Sequence, residues 1–288
     1  MHNSTVVGVD IGGSHITAAQ VNVKTSEVVE STRMRRSINS RQGASAIIGE
    51  WSEVIRDACG LPANASKKIG IAMPGPFDYQ NGISFIKGQN KYDLLYGLNI
   101  KHLLAASLNL EVENIIFYND AASFLRGEAC AGAGKSYSRL IGITLGTGLG
   151  TSVFYDNHAE DAELWNSPFK ESIAEDYLSA RWLLKRYTEF TGESISDVKQ
   201  LASLWDTNNV SRDVFNEFGE NLGLFLNGFI ESKKPEAVIL GGNIAKALNL
   251  FKESLHANLK AEYQTIPILQ AKLGEEAALI GASSLWYV

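Results

Sequence analysis

The sequence predicts an α/β fold built from two similar domains, and three observations support that prediction. The chain has 288 residues, which is long for one hydrophobic core and suits two domains of roughly 140 residues. Short apolar runs typical of buried strands alternate with stretches of helical periodicity along the chain. A strand, a glycine turn and a second strand near the N-terminus recur near the middle, as a duplicated domain requires.

The composition excludes several classes of protein. Apolar residues make up 45% of the chain and charged residues 20%, which is globular rather than disordered. A net charge of −6 argues against nucleic acid as the main ligand. Cys59 and Cys130 are too few for a disulfide framework or a cysteine-rich metal site. No apolar run reaches the roughly 18 residues of a membrane helix, and no signal-peptide pattern opens the chain. We therefore expect a soluble, cytoplasmic protein without a nucleic-acid or membrane partner.

The first half of the chain is typical of a strand hairpin followed by alternating helices and strands. An apolar run ends at Asp10, glycines form the first bend, and apolar residues then alternate. The predicted strands are 6–10, 16–23, 28–29, 69–73 and 115–118, and the predicted helices are 44–59, 103–108 and 121–131.

At Leu140 the pattern restarts. An offset of 134 residues superposes Gly8 on Gly142, Gly12 on Gly146 and Thr17 on Thr151. An internal duplication explains these identities, and two unrelated hairpins are the alternative. The elements expected beyond them are a helical region at 173–187, a polar loop at 205–211, a helix at 214–232, a strand at 237–240 followed by a helix, and a last helix at 275–285.

Three of the predicted strands end in glycines, at Gly12-Gly13, at Gly146-Thr147-Gly148 and at Gly241-Gly242. Glycine lets backbone N–H groups approach an anion closely, and such turns hold phosphate oxygens. Each turn alone is compatible with an ordinary hairpin. Three together, two of them duplicated, favour a phosphate ligand.

Six short segments together resemble one family. In order, they are Asp10-Ile11-Gly12-Gly13-Ser14, Pro74-Gly75-Pro76, Asn119-Asp120-Ala121, Leu145-Gly146-Thr147-Gly148-Leu149-Gly150, Leu240-Gly241-Gly242 and Ala278-Leu279-Ile280-Gly281-Ala282. The chain thus resembles the ROK family of sugar kinases and related regulators, nearly end to end. The resemblance implies two actin-like, ribonuclease H-like ATPase domains that flank a cleft, residues 1–118 with 275–288 and residues 119–274. It also implies ATP and Mg²⁺ as cofactors.

The resemblance assigns roles to single residues. Asp120 matches the base that accepts the proton of the attacking sugar hydroxyl, although the residues alone also allow a helix N-cap. Asp10 matches an aspartate that holds Mg²⁺ through water, although a lone acid at a strand end is usually a turn former. The expected sugar contacts are Gly75, Asn90, Asn119, Asp120, Glu163, Asn166 and Glu175, of which the two glutamates have solvated acids as their alternative reading. The expected ATP contacts are Gly12, Gly13, Ser14, His15 (where the family often has lysine), Gly146, Thr147, Gly148, Gly241, Gly242 and Asn243.

The activity implied by the resemblance is transfer of the γ-phosphate of ATP to the 6-hydroxyl of a hexose. Glucose is the first candidate, followed by N-acetylglucosamine and N-acetylmannosamine. The alternative is a sugar-binding regulatory protein of the same family that has lost catalysis. The family's repressors carry an additional N-terminal helix-turn-helix domain, which we do not expect here because the first glycine strand begins at Val6. The sequence leaves open the sugar, the donor (ATP or polyphosphate) and the oligomeric state, a homodimer included.

Many family members hold a structural zinc ion near the sugar through a cysteine cluster and a histidine. This chain has no cysteine between residues 150 and 175, and Asn166 stands at the histidine position. Asparagine is a poor ligand for zinc. We therefore expect no zinc site, and we expect the segment from about Asn157 to Ser172 to be held by packing of Leu164, Trp165 and Phe169.

Overall fold

The computed structural model describes residues 5–60 and 68–287 as strands and helices joined by turns. The strands are β1 (Thr5–Ile11), β2 (His15–Asn22), β3 (Glu27–Val28), β4 (Met34–Ser37), β5 (Ile69–Met73), β6 (Phe77–Asp78), β7 (Ile83–Ser84), β8 (Ile115–Asn119), β9 (Leu140–Leu145), β10 (Leu149–Tyr155), β11 (His158–Asp161), β12 (Pro168–Phe169), β13 (Ser172–Ile173), β14 (Ala237–Gly241) and β15 (Ile268–Gln270). The α-helices are α1 (Ala44–Cys59), α2 (Ile100–Leu108), α3 (Asp120–Ala131), α4 (Ala174–Tyr177), α5 (Ala180–Thr191), α6 (Val198–Ser203), α7 (Asn209–Lys233), α8 (Leu248–Ala257) and α9 (Glu276–Ser284).

The chain forms two compact units, Met1–Lys135 with Glu275–Val288, and Ser136–Gly274. The second domain was expected to begin at residue 119. The structure differs over residues 119–135, which belong to the first unit. Helix α3 therefore lies in the unit that also contains α9.

The contact between α3 and α9 explains this difference, because glycines bring the two helix backbones together. A Cβ built on Gly127 would lie 2.0 Å from the carbonyl oxygen of Ala277. A Cβ built on Gly281 would lie 1.8 Å from the carbonyl oxygen of Ser123. Real Cβ atoms do not approach other atoms this closely, so only glycine allows the two helices to pack at this distance.

The sheet of the first unit has the strand order β3-β2-β1-β5-β8, and β4 also pairs with β2. Strands β1 and β2 form an antiparallel hairpin, whereas β5 and β8 run parallel to β1. Alternate residues of a strand point to opposite faces. Val9 and Ile71 belong to one buried cluster with Trp51 and Ile55 of α1, which covers one face of the sheet.

Helix α9 covers the other face of this sheet. Gly8 and Gly70 are paired across β1 and β5. A Cβ on Gly8 would lie 2.5 Å from the Leu279 carbonyl oxygen, and a Cβ on Gly70 would lie 2.2 Å from that of Ala282. The helix thus rests directly on the strand backbones. Asp10 lies on the same face as Gly8, two residues further along β1.

The sheet of the second unit has the strand order β11-β10-β9-β14-β15. Strands β9 and β10 form an antiparallel hairpin, and β14 and β15 run parallel to β9. This arrangement repeats that of β1, β2, β5 and β8, as an internal duplication predicts. Phe215 and Phe218 of α7 and Phe251 of α8 are buried in the core of this unit, and the rings of Phe218 and Phe251 lie 5.3 Å apart.

The strand register corrects the constant offset of 134 residues. Ile11 pairs with Ile16 and Asp10 with Thr17, whereas Leu145 pairs with Leu149 and Thr144 with Gly150. The first glycine turn is therefore one residue longer than the second. Thr17 corresponds in the sheet to Gly150, so its superposition on Thr151 was wrong.

Most predicted elements are present, with two local differences in the second unit. The helix at 44–59 and the strand at 69–73 are confirmed with those bounds. The helical region at 173–187 is instead two helices, α4 and α5, separated at Leu178-Ser179. The predicted polar loop contains the start of α7, because the side chain of Asn208 accepts a hydrogen bond from the N–H of Ser211 and caps the helix.

None of the helices in the described ranges, 5–60 and 68–287, has the length and hydropathy that a membrane span requires.

Candidate functional site

The carboxyl ends of three parallel strands bring four predicted site residues to one edge of the first sheet. Asp10 of β1 pairs with Ala72 of β5, and Met73 of β5 pairs with Asn119 of β8. Gly75 follows β5 by two residues, and Asp120 follows β8 directly. In sheets of this kind, ligands bind at the carboxyl ends of the strands.

Asp10 is in an environment that disfavours its negative charge. Desolvation contributes most to this effect, followed by repulsion from Asp120 and Glu275, while Arg35 opposes it. Together these effects raise the pKa of Asp10 to about 7. Arg35 also forms an ion pair with Glu275, so its positive charge is divided between Glu275 and Asp10. A cation bound near Asp10 would favour the ionised carboxylate.

Asn119, not Asp120, is the N-cap of α3. The Oδ1 atom of Asn119 accepts a hydrogen bond from the N–H of Ala122 at 3.0 Å. Its Nδ2 donates to the hydroxyl of Tyr79 at 3.1 Å, and that hydroxyl donates to the carbonyl of Met73, also at 3.1 Å. Tyr79, which the sequence analysis missed, therefore fixes the orientation of the Asn119 amide.

Because Asn119 caps the helix, the carboxylate of Asp120 does not act as the cap and makes other contacts. Its Oδ1 accepts a hydrogen bond from the N–H of Ala121 at 2.8 Å. Desolvation raises the pKa of Asp120, and the hydrogen bond and the charge of Lys91 oppose this effect. A desolvated carboxylate at a ligand-binding edge is suited to accept a proton.

The first glycine turn joins β1 to β2 at the same edge. The hydroxyl of Tyr92 donates to the carbonyl of Gly12 at 2.6 Å. The ring nitrogens of His15 lie 2.9 Å from the Ser14 hydroxyl and 3.1 Å from the Ser37 hydroxyl. Gly13 and Ser14 are exposed at the tip of the turn, where a phosphate could reach their backbone.

Asn90 lies in an exposed loop that follows β7. It has a φ of 57°, and its carbonyl accepts a hydrogen bond from Nε of Arg41 at 3.4 Å. The next residue, Lys91, contacts the first glycine turn: its Cδ lies 3.5 Å from the position a Cβ on Gly13 would occupy. No sequence motif identifies Lys91, so sequence analysis missed it.

The second and third glycine turns adjoin at the carboxyl edge of the second sheet. Strands β9 and β14 are parallel neighbours that end in Leu145 and Gly241. Gly242 has a φ of 84°, and a Cβ there would lie 2.2 Å from the carbonyl oxygen of Leu145. The structure thus brings together the predicted residues Gly146, Thr147, Gly148, Gly241, Gly242 and Asn243.

Glu175 lies at the second glycine turn. Its Oε2 accepts the N–H of Leu149 at 3.0 Å, and its Oε1 accepts a hydrogen bond from Arg181 at 3.0 Å. A Cβ on Gly148 would lie 2.6 Å from Oε2, so a larger residue there would displace the Glu175 carboxylate from its present position. Arg181 is a further residue that the sequence analysis missed.

Glu163 precedes a short 3₁₀ turn, Leu164–Asn166, and Asn166 ends it; both residues are exposed. The N–H of Leu164 donates to Oγ1 of Thr151 at 3.0 Å, which attaches the turn to β10. Leu164 and Phe169 pack on the core, as predicted. The prediction for Trp165 was wrong, because 40% of this residue is exposed. Successive side chains of a 3₁₀ turn point in different directions, so when Leu164 packs on the core its neighbour points outward.

The prediction that this chain has no zinc site can be tested by a direct measurement. In the described ranges, 5–60 and 68–287, no three His, Cys, Asp or Glu side chains are grouped as a metal site needs. We expect elemental analysis of the purified protein to give zinc well below one equivalent, since structural zinc needs four ligands. We expect a zinc chelator to leave activity intact once Mg²⁺ is restored. Stoichiometric zinc, with activity lost on its removal, would contradict this prediction.

The chain shares its fold and much of its sequence pattern with proteins of one family. A sequence model of the ROK family matches residues 6–161 and 170–288. The xylose repressor of Bacillus subtilis is 24% identical over 97% of this chain and 76% of its own length. The N-acetyl-D-glucosamine kinase of Haemophilus influenzae is 24% identical over 97% of this chain and 98% of its own. The crystal structure of a ROK family glucokinase from Streptomyces griseus, in complex with glucose and AMPPNP, has a TM-score of 0.79 at 22% identity and covers 98% of each chain.

These comparisons confirm the resemblance and the two-sheet α/β fold. The family match covers β1 with its glycine turn, the edge that carries Asp120, and both glycine turns of the second unit. It omits residues 162–169, the segment that contains Glu163 and Asn166. This chain is therefore a member of the ROK family.

Proposed function

We propose that the chain is an ATP-dependent sugar kinase that transfers the γ-phosphate to the 6-hydroxyl of a hexose. The observation that carries the proposal is that two desolvated aspartates, Asp10 and Asp120, lie at the same edge of the first sheet, beside the first glycine turn. A phosphoryl-transfer site needs a group that holds the metal ion and a group that orients the nucleophile. The two aspartates supply these two functions.

Asp120 is the proposed general base. Phosphoryl transfer passes through a loose transition state, so the base mainly orients the sugar hydroxyl and accepts its proton late. A carboxylate with a raised pKa is better matched to that task than a solvated one. Asn119, held by Tyr79 and by the first turn of α3, would present its amide to the same sugar.

The residues near Asp10 fit Mg²⁺. This ion is commonly held by one or two carboxylates together with water and substrate phosphates, so a cage of three protein ligands is not needed. The negative charges of Asp120 and Glu275 near Asp10 favour a bound cation. Asp10 would hold the ion through water, and when bound the ion would neutralise charge on the phosphate oxygens.

The glycine turns are the proposed phosphate sites. In the first unit Gly12, Gly13, Ser14 and His15 would bind phosphate, and in the second unit Gly146, Thr147 and Gly148 would do so. We assign Gly241, Gly242 and Asn243 to the adenosine end of ATP. The proposed sugar contacts are Gly75, Asn90, Asn119, Asp120, Glu163, Asn166 and Glu175.

The identity of the sugar depends on the segment that departs most from the family. Residues 162–169 fall outside the family match, and the family resemblance puts Asn166 at the position of a histidine. Asparagine both donates and accepts hydrogen bonds, so it is able to bind a hydroxyl with a changed preference. Glucose is the first candidate, and the relatives that phosphorylate amino sugars add N-acetylglucosamine, with N-acetylmannosamine next.

A sugar-binding regulator without catalysis is the second candidate. Its support is the match to a xylose repressor over 97% of this chain, together with the altered Asn166 segment. Asp10 and Asp120 favour the kinase, because a binding protein gains nothing from two desolvated carboxylates at the phosphate edge.

A coupled assay tests the proposal. The purified protein is incubated with Mg²⁺, either ATP or polyphosphate, and each of the candidate sugars, and the phosphorylated product is identified by mass spectrometry. We expect one hexose 6-phosphate to form with ATP. Tight sugar binding by calorimetry without turnover with either donor would favour the regulator instead.

A further inference from the structure

Lys91 connects the two parts of the proposed site that lie in the first unit. Its Cδ approaches the first glycine turn at Gly13, 3.5 Å from the position of an added Cβ. Its positive charge also acts on Asp120 and lowers the pKa of that carboxyl, against the larger effect of desolvation. The Lys91 side chain therefore contacts the phosphate turn, and its charge acts on the proposed base.

The neighbouring Tyr92 holds Lys91 in this position. Tyr92 is fully buried, and its ring packs edge-on against Trp51 with centroids 5.3 Å apart. Its hydroxyl donates to the carbonyl of Gly12, and its N–H donates to the carbonyl of Ser40 at 2.8 Å. The loop thus has a fixed attachment to the glycine turn one residue after Lys91.

Lys91 differs from the arginines of this region because no carboxylate forms an ion pair with its ammonium within the described residues. Across residues 5–60 and 68–287, its ammonium forms neither a hydrogen bond nor an ion pair. By contrast, Arg33, Arg35 and Arg36 are all ion-paired with glutamates. The imidazole of His15, the other basic group of the turn, faces the hydroxyls of Ser14 and Ser37. Lys91 is half-buried, and an ammonium that has no hydrogen bond or ion pair is available to an anionic ligand.

We propose that the ammonium of Lys91 binds the phosphoryl group that is transferred, at the first glycine turn beside Asp120. This inference rests on the proposed kinase function. As the sugar oxygen forms its bond to the γ-phosphorus, the bond from that phosphorus to the ADP oxygen breaks, and the hydroxyl proton passes to Asp120. Lys91 keeps its proton throughout and neutralises charge on the oxygens of the moving group.

Lys91→Gln tests the proposal, with Lys87→Gln as the matched control from the same loop. Lys87 is exposed, and its ammonium lies over the ring of Tyr96 at 5.0 Å. We expect Lys91→Gln to lower kcat by at least about tenfold, while KM for the sugar stays within about threefold. We expect Lys91→Arg to recover most of the lost activity, and Lys87→Gln to behave as wild type.

Nucleotide affinity gives a second readout that does not depend on turnover. A contact to the γ-phosphate is present in ATP and absent in ADP. By calorimetry, Lys91→Gln should weaken ATP binding by about fivefold and leave ADP binding within about twofold. A thermal midpoint close to that of wild type shows that the variant is folded.

The outcomes separate the inference from the function on which it rests. If the wild type phosphorylates no sugar but Lys91→Gln still loses affinity for ATP alone, the phosphate contact stands and the kinase proposal fails. If the wild type is an active kinase and Lys91→Gln keeps its kcat and its preference for ATP over ADP, the proposal for Lys91 is overturned. Equal loss of ATP and ADP affinity would also overturn it, since the contact would then not be to the γ-phosphate.

Discussion

Asp120→Asn is expected to lower turnover by about 10²- to 10⁴-fold, the range for loss of a general base. The amide has the shape of the carboxylate but cannot accept the hydroxyl proton. ATP binding should persist, because the change leaves the glycine turns intact. The measurement is kcat from the coupled assay, with ATP affinity from calorimetry.

The folded state of this variant should be at least as stable as wild type. Desolvation raises the pKa of Asp120, so the ionised side chain is destabilising at neutral pH, and a neutral amide removes that effect. The amide oxygen is still able to accept the N–H of Ala121. Asp57→Asn is the control, since this surface acid of α1 lies 3.6 Å from Arg36 and outside the site. An Asp120→Asn protein that keeps more than a tenth of wild-type turnover would remove Asp120 from the role of base.

Gly281→Ala is expected to destabilise the first unit by about 3 kcal/mol, the upper end of the usual range for overpacking. The added Cβ would lie 1.8 Å from the carbonyl oxygen of Ser123 on α3. The Cβ is bonded directly to the backbone of α9, and the carbonyl oxygen is part of the backbone of α3, so neither atom can move without shifting a helix. The measurement is the free energy of unfolding from urea denaturation.

Gly228→Ala is the matched control, because Gly228 is a helical glycine of α7 with nothing within 4 Å of an added Cβ. Alanine is the better helix former, so this change should stabilise the protein by up to about 1 kcal/mol. A loss below about 1 kcal/mol for Gly281→Ala would mean that α9 moves away from α3 at little cost.

The parts of the site that sequence predicts are those set by a few adjacent residues. Asp10 and Asp120 each lie at the end of a predicted strand, and the glycine turns can be recognised in the sequence from their clustered glycines. Parallel pairing then brings the strand ends together without further information. The choice of N-cap was less determined, because asparagine and aspartate cap helices about equally well and they are adjacent here.

Lys91 could not be found from sequence because its position depends on a distant contact. The hydroxyl of Tyr92 reaches the carbonyl of Gly12 across 80 residues of chain, and no local pattern encodes that hydrogen bond. The extra residue of the first glycine turn was hidden for a related reason, since only the pairing of Ile11 with Ile16 defines where the turn ends. The assignment of α3 to the first unit likewise depends on its packing against a helix near the C-terminus.

That C-terminal helix has a consequence for biosynthesis. The second unit is one continuous stretch of chain, whereas the first needs Glu275–Val288 in addition to its N-terminal part. During translation the ribosome therefore releases everything that the second unit requires before it releases α9. Until then, Gly8 and Gly70 leave a bare strip of strand backbone with no helix over it. Domains generally fold in the order in which they are made. In this protein, the unit that is begun first is completed last.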